Sequence, residues 1–348
     1  MNLLLALVFI IGNPIKFQGA KLIFNHSSIS VHTQDVIFSL SMNFVAFIQN
    51  GNLSVYNSDG KLLRKISLEG ENLPNIKLMD DGSMTIFYPA VYNLIVYDRA
   101  GRTRLNFRPH GNYFYYESYS DFDQDGEFVA LAYKKGDNSH LVVFRDFQKK
   151  FSKIFKNYLP ARVWVRGSSI FLRLYRVEDN HVTTDFVLML DSNGKMIRKF
   201  EIPKVNLVDK KGNLIALASK REVYIFQSGE VSSITGIKEN LSTFPAAPHA
   251  LRAWGAEKGG GISSKKSANS GVRFAFPKII YDAKIHKGRV YIITGEPNRR
   301  KITNPEIYEI SEKPTKILSF GGTFLYPHFY ESGGKLYFLT EKGDIHEL

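Results

Sequence analysis

The residues whose types and spacing most clearly point to chemistry are Asp121-Phe122-Asp123-Gln124-Asp125-Gly126. Alternate carboxylates before a glycine-permitted turn can present hard oxygens to one point, the arrangement calcium requires. Asp121, Asp123 and Asp125 are therefore the candidate metal ligands, calcium is the candidate ion, and its role would be structural. The position where a twelve-residue calcium loop closes with Glu is Ala132, so the closing bidentate ligand of such loops is missing here. A plain polar turn is the competing reading of the same residues.

Other reactive constellations are sparse. There is no cysteine, which excludes disulfides, thiolate zinc sites and cysteine nucleophiles. The nine histidines include no His-Glu-x-x-His pair, and Glu178, Asp179 and His181 read as solvated residues of one turn. The Gly259 to Lys266 stretch lacks the spacing of a phosphate loop, and no G-x-S-x-G elbow occurs. These patterns lean away from an enzyme.

Charge gives a second line. Forty-six Lys and Arg face 33 Asp and Glu, a net +13 that favours encounters with polyanions. Lysines on exposed and edge strands also keep sheets soluble and unpaired, and this explains the excess with fewer assumptions. Lys149, Lys150, Lys153 and Lys156 interleave with Phe151 and Phe155 as an edge strand would, so nucleic acid is disfavoured as a partner.

The elements that must position such residues are strands. Aromatics make up 13% of the 348 residues, and long amphipathic helical patterns are nearly absent. In Phe44 to Ile66, Phe44, Ala46 and Ile48 alternate, Asn50-Gly51 marks a tight hairpin, Leu53 to Tyr56 run back, and Ser58-Asp59-Gly60 turns into a third strand. The unit recurs in degenerate form. Turn signals open the second strand of each unit at 41–43, 80–82, 125–126, 167–168, 211–213, 287–288 and 333–334, which makes seven. An apolar residue and a proline precede the first strand at Pro74, Pro160, Pro203, Pro277 and Pro327, where a missing N–H is tolerated. Outer strands are expected at 62–68, 103–107, 149–155, 195–202, 231–237 and 315–320.

One interval breaks the period. Residues 238–275 carry Gly259-Gly260-Gly261 and a Ser/Lys/Asn-rich run, and are expected to form an inserted loop, with one short helix around 247–256. At the N-terminus, Leu3 to Ile11 is apolar and too short to span a bilayer, so residues 1–20 are expected to be a secretory signal or apolar leader. No Lys or Arg precedes the run, and Gln18 stands where a cleavage site wants a small residue. The expected location is exported (periplasmic, cell envelope or extracellular), with the cytoplasm as the alternative. Lys21 to Val31 reads as one strand and Gln34 to Leu40 as the next, and the chain ends on an incomplete unit at 335–348.

Across residues 21–348 these units resemble β-propeller blades, nearest in flavour to the WD-repeat and NHL-type superfamilies, as in Val187-Leu188-Met189-Leu190-Asp191-Ser192-Asn193-Gly194-Lys195. No unit carries the Gly-His and Trp-Asp signature of WD repeats, so that network is not carried over. The Asp121 motif is similar to the calcium loop of FG-GAP propellers such as integrin heads, with Val129 in place of a later Asp. The resemblance implies an all-β, seven-bladed β-propeller, closed by pairing of the N-terminal strand with the last blade.

It also implies a face where the first strands begin and a central channel opens. Asn75, Arg162, Lys204, Lys278 and His328 would ring that mouth, with Gln34, Tyr115, Asn206, Tyr281 and Tyr326 nearby. The insertion and the long turns Val177 to Thr184 and Glu296 to Glu306, the latter holding Arg299, Arg300 and Lys301, would share the face. A basic, aromatic and amide-rich ring suits an anionic or sugar-like ligand. The leading expectation is a monomeric, non-catalytic module that binds a protein or acidic polymer. The alternative is a propeller hydrolase or lyase, with His328, Arg162 and Tyr281 converging at the channel mouth.

Overall fold

The computed structural model describes residues 15–18, 20–33, 36–68, 74–109, 119–179, 181–227, 264–266, 271–298, 301–325 and 327–348. Among them there is no α-helix, only one 3-10 turn at Pro89–Val91, and no helix is long and apolar enough to cross a membrane. The strands form eight antiparallel sheets, named A to H in chain order. The chain divides into two compact units, Met1–Pro203 with Tyr326–Leu348, and Lys204–Leu325.

The first unit holds sheets A to E and H. Sheet B shows how the alternating pattern becomes structure. Phe44–Gln49 and Asn52–Asn57 pair from Gln49↔Asn52 upward, and both turn residues, Asn50 and Gly51, take positive φ. The third strand then turns into Leu62–Ser67 through a loop that the sequence repeats. Asn57 Oδ1 accepts from Asp59 N and Lys61 N, and Gly60 N donates to Asn57 O. Asp98 in sheet C, Asp191 in sheet E and Thr340 in sheet H make the same set of bonds at their own turns. A short polar side chain satisfying the backbone two and four residues on is why Asn, Asp or Thr stands there, with Gly three residues later.

Sheets B to E have four strands each and H has three. Apolar faces stack between neighbours: Leu53, Val55, Met84 and Ile86 between B and C, Phe87, Leu94, Leu131 and Phe144 between C and D, and Leu141, Val143, Val163 and Leu172 between D and E. Met42 of sheet B packs on Tyr337 and Leu339 of sheet H.

The seven turn signals each open the second strand of one sheet, B to H. The N-terminal segment departs from expectation. Lys21 to Val31 is not one strand: Lys21–Ile23 and Ser28–Ser30 form a hairpin, turned where Phe24 N donates to Ser27 O. Together with Lys16–Gln18, which falls in the expected leader, they make the three-stranded sheet A and pack Leu22 and Phe24 on Val45 and Phe47. Ile345–Glu347 pairs with Lys335–Leu339, and the N-terminal strand meets this last sheet through Phe17 N to Glu341 O at 2.8 Å instead of pairing along it. The apolar run 3–11 lies outside the described residues.

The second unit holds sheets F and G, whose shared core includes Ala216, Ile225, Phe274, Ile285 and Ile292. The expected outer strand 231–237 and helix 247–256 lie outside the described residues. The end of the supposed insertion is a strand: Val272–Ala275 pairs with Glu222–Gln227 as the fourth strand of sheet F, and Ser264–Lys266 pairs beyond it. The period breaks because a long segment separates the third and fourth strands of one sheet. The turns read at 177–184 and 296–306 are strand extensions, Ser169–Glu178 with His181–Leu190, and Arg289–Asn298 with Lys301–Ile310.

Gly194 tests this account of the turns. Its φ is +82°, and a Cβ there would lie 2.8 Å from the Phe151 ring. Gly194→Ala should destabilise the fold by about 1–3 kcal/mol through strain and overpacking. Gly126→Ala, with positive φ but open space, should cost less. Urea melts of the two variants make the comparison.

Candidate binding pocket at three edge strands

Three first strands of the first unit define the site: Asn75–Leu78 of sheet C, Ser120–Asp125 of sheet D and Leu159–Arg166 of sheet E. Each is an edge strand of its sheet, with one row of backbone N–H groups left over by its own ladder. A buried N–H without a partner is costly, so these rows need acceptors from elsewhere.

Sheet D supplies them to sheet E. Alternation puts Asp121, Asp123 and Asp125 on one side of their strand. Asp121 Oδ2 accepts from Val163 N at 2.9 Å, Asp123 Oδ2 from Val165 N at 2.9 Å, and Asp125 Oδ2 from Gly167 N at 2.7 Å. The motif is thus a strand ending in a turn, and its carboxylates fan out along a neighbouring backbone instead of converging on one point. Among the described residues no group of three His, Asp or Glu side chains could hold a metal ion. In this arrangement all three carboxylates are engaged by backbone N–H groups of the neighbouring sheet. The device recurs elsewhere: in the second unit Asp209 Oδ2 accepts from Ile285 N at 2.7 Å, and in the first Asp80 Oδ1 accepts from Ser41 N at 2.6 Å.

Two of these carboxylates have opposite electrostatics. Asp123 lies between Lys77, whose Nζ is 2.5 Å from Oδ1, and Arg166, whose Nη1 is 2.9 Å from Oδ2. Burial pushes its carboxyl up, but the charges of Lys77 and Arg166 and the hydrogen bonds from Lys77 and Val165 outweigh this and hold it below the ordinary range. Lys77 also donates to Gln124 O, and Gln124 Oε1 accepts from Thr85, which ties sheet C to sheet D. Burial dominates at Asp121: the Val163 N–H and the Arg162 charge compensate incompletely, Asp123 adds repulsion, and the carboxyl is pushed up to about 6.

Beside this network lies a cavity of about 560 Å³. Its polar lining is Asn75 and Lys77 from sheet C, Ser120 and Asp121 from sheet D, and Arg162 from sheet E; Ile76, Phe122 and Ala161 supply the apolar walls. Phe122 is held by Phe87, with ring centroids 5.5 Å apart. Arg162 Nη1 is 3.8 Å from Asp121 Oδ1, beyond a hydrogen bond, and its side chain is 58% exposed. Ser120 Oγ is buried and has no hydrogen-bond partner among the described residues.

Of the residues expected to ring a channel mouth, Asn75 and Arg162 therefore meet in one pocket. His328 is not part of that lining: its Nε2–H donates to Leu40 O at 2.7 Å, between sheets H and B. Lys204, exposed with positive φ, Lys278 and Tyr281 belong to the second unit. There Lys278 is ion-paired with Glu306 at 3.2 Å, and burial raises the Tyr281 hydroxyl. Asn206, in the same unit, uses its N–H on Ala218 O. Arg299, Arg300, Gln34, Tyr115 and Tyr326 lie outside the described residues. The sequence reading missed Lys77, Ser120 and Phe122. The polar positions Asn75 and Lys77, two apart in a first strand, were the available signal.

No family model matches the chain, and no curated protein matches it in sequence. Solved structures match in fold. The Dos1 propeller is 13% identical with a TM-score of 0.51, over 90% of this chain and 77% of that one. A streptogramin B lyase is 10% identical with a TM-score of 0.50, over 92% and 94%. Hydrazine synthase of Kuenenia stuttgartiensis is 13% identical with a TM-score of 0.50, over 90% and 94%. At these identities the likeness shows the architecture, a β-propeller, and leaves activity open.

The carboxylate pair yields a pH signature. Asp123 is depressed, so its contribution is present above the ordinary carboxylate value near 3.9 and is lost as pH falls through its lower folded value. Asp121 is raised, so the native state takes up a proton between about 6 and 3.9. Its ionisation lowers stability as pH rises through that window. Asp121→Asn should raise the melting temperature at pH 7.5, by an amount that shrinks as pH falls below about 6. Asp123→Asn should lower it at pH 7.5 by the equivalent of about 2 kcal/mol, the loss expected for partly exposed partners. Thermal melts from pH 4 to 8 check both signs.

Proposed function

We propose that this β-propeller is a recognition module that binds a protein or acidic polymer at the pocket formed by the first strands of sheets C, D and E. The observation that carries this reading is the division of labour among the charges. Asp123, Lys77 and Arg166 are spent on one another and on backbone groups, whereas the Arg162 guanidinium stands half exposed at the cavity, 3.8 Å from Asp121 and with no hydrogen-bonded counterion among the described residues. A rigid wall of edge strands carrying a half-exposed guanidinium, an amide and an aromatic face is suited to holding a ligand in one orientation.

The reading extends to blade count and location. Seven blades are proposed, one for each sheet opened by a turn signal, and export is proposed from the apolar run Leu3 to Ile11. A second reading, a hydrolase or lyase, draws on Asp121, a carboxyl near 6 beside a guanidinium, the condition of a general acid. Under that reading Asp121→Asn abolishes turnover.

A photo-crosslinking amino acid at position 161, on the pocket wall, should give a covalent adduct with a partner. The same group at position 150, on the outer strand of sheet D, should not. Equal labelling from both positions, or none, would remove the recognition reading.

A further inference from the structure

The pocket's lining and its ion-pair partners carry three cations, Lys77, Arg162 and Arg166, against two carboxylates, Asp121 and Asp123. One positive charge is in excess, which matches a monoanion better than a phosphate carrying nearly two charges. Asp121 sharpens that preference, because a doubly charged group held at Arg162 would also face its carboxylate. The exposed cation Arg162 is a guanidinium, whose planar fork fits two carboxylate oxygens side by side. Asn75 stands at the exposed start of its strand and can donate beside it, and Ser120 Oγ, unpartnered among the described residues, is a further donor in the same lining. Ile76, Phe122 and Ala161 give apolar walls for a methylene stem. The cavity, about 560 Å³, falls within the range of ligand sites and leaves room for flanking backbone.

We propose that the pocket takes the carboxylate of an acidic side chain presented by an extended protein segment, with Arg162 as its anchor and Asn75 and Ser120 completing its hydrogen bonds. This rests on the recognition reading and names its ligand. The apolar walls select a side chain with a stem over a bare anion, and Lys77 contributes field without leaving Asp123.

The test uses the full chain and four peptides in calorimetric titrations: acetyl-Gly-Glu-Gly-amide, its Gln counterpart, acetyl-Gly-Gly-Gly with a free C-terminus, and acetyl-Gly-phosphoserine-Gly-amide. The Glu peptide should bind about tenfold tighter than the Gln peptide, the difference one charge-assisted interaction makes. It should also bind tighter than the other two. Arg162→Gln should erase the Glu preference, Arg162→Lys should keep part of it, and Lys150→Gln should leave it intact. Because Arg162 is exposed, unchanged melting of the Gln variant separates lost binding from lost folding.

Equal affinity for Glu and Gln, a preference that survives Arg162→Gln, or tightest binding of the phosphoserine or free C-terminal peptide would overturn the proposal. If position 161 still crosslinks a partner while the Glu preference is absent, recognition stands and the ligand is wrong. A Glu preference without any crosslinked partner would leave the ligand standing and remove the recognition reading.

Discussion

Every sheet in this chain begins with an edge strand, and an edge strand has backbone N–H groups that its own ladder does not use. The structure depends on how those groups are satisfied. Asp121, Asp123 and Asp125 answer alternate N–H groups at 163, 165 and 167, so two sheets are joined by carboxylates instead of by another strand. A strand in that gap would merge the sheets into one. A carboxylate reaches the same donors, stops the ladder and leaves apolar faces to stack beside it. Asp209 of one first strand answers Ile285 N of the next in the same way.

That use of carboxylates has an electrostatic consequence from which the pocket follows. Burying carboxylates between sheets demands compensation, and it is supplied unevenly. Asp123 receives Lys77 and Arg166, whereas Asp121 has Arg162 at 3.8 Å. The first is a closed network that fixes three first strands, and the second is an open arrangement whose guanidinium stays half exposed. The closed network and the open arrangement are thus neighbouring steps of one strand, two residues apart.

Much of the architecture was legible because turns obey local stereochemistry. Asn50-Gly51 takes the positive φ that its residue types advertise, and the Asp191 to Gly194 turn recurs in chemistry at Asn57, Asp98 and Thr340. Asn75 and Arg162 were also legible as pocket residues, since both follow a junction proline and so stand where first strands start. Other features were hidden because they depend on partners remote in sequence. Alternate aspartates look alike whatever they face, and the N–H groups at 163, 165 and 167 that these three meet are remote in sequence. The fourth strand of sheet F is Val272–Ala275, far past the place its period predicts, and nothing local ties it to Glu222–Gln227. Lys77 is one lysine among many until Asp123 is seen beside it.

Side-chain carboxylates close the edge of the sheet E first strand. Amide hydrogen exchange at Val163, Val165 and Gly167 tests it most directly. In the intact chain near neutral pH these edge-strand amides should be protected to a degree approaching that of the interior strand Ser169–Glu178, and Asp123→Asn should speed exchange at Val165 more than at the other two. Exchange at all three as fast as at an open strand edge, with no response to the aspartate, would contradict it.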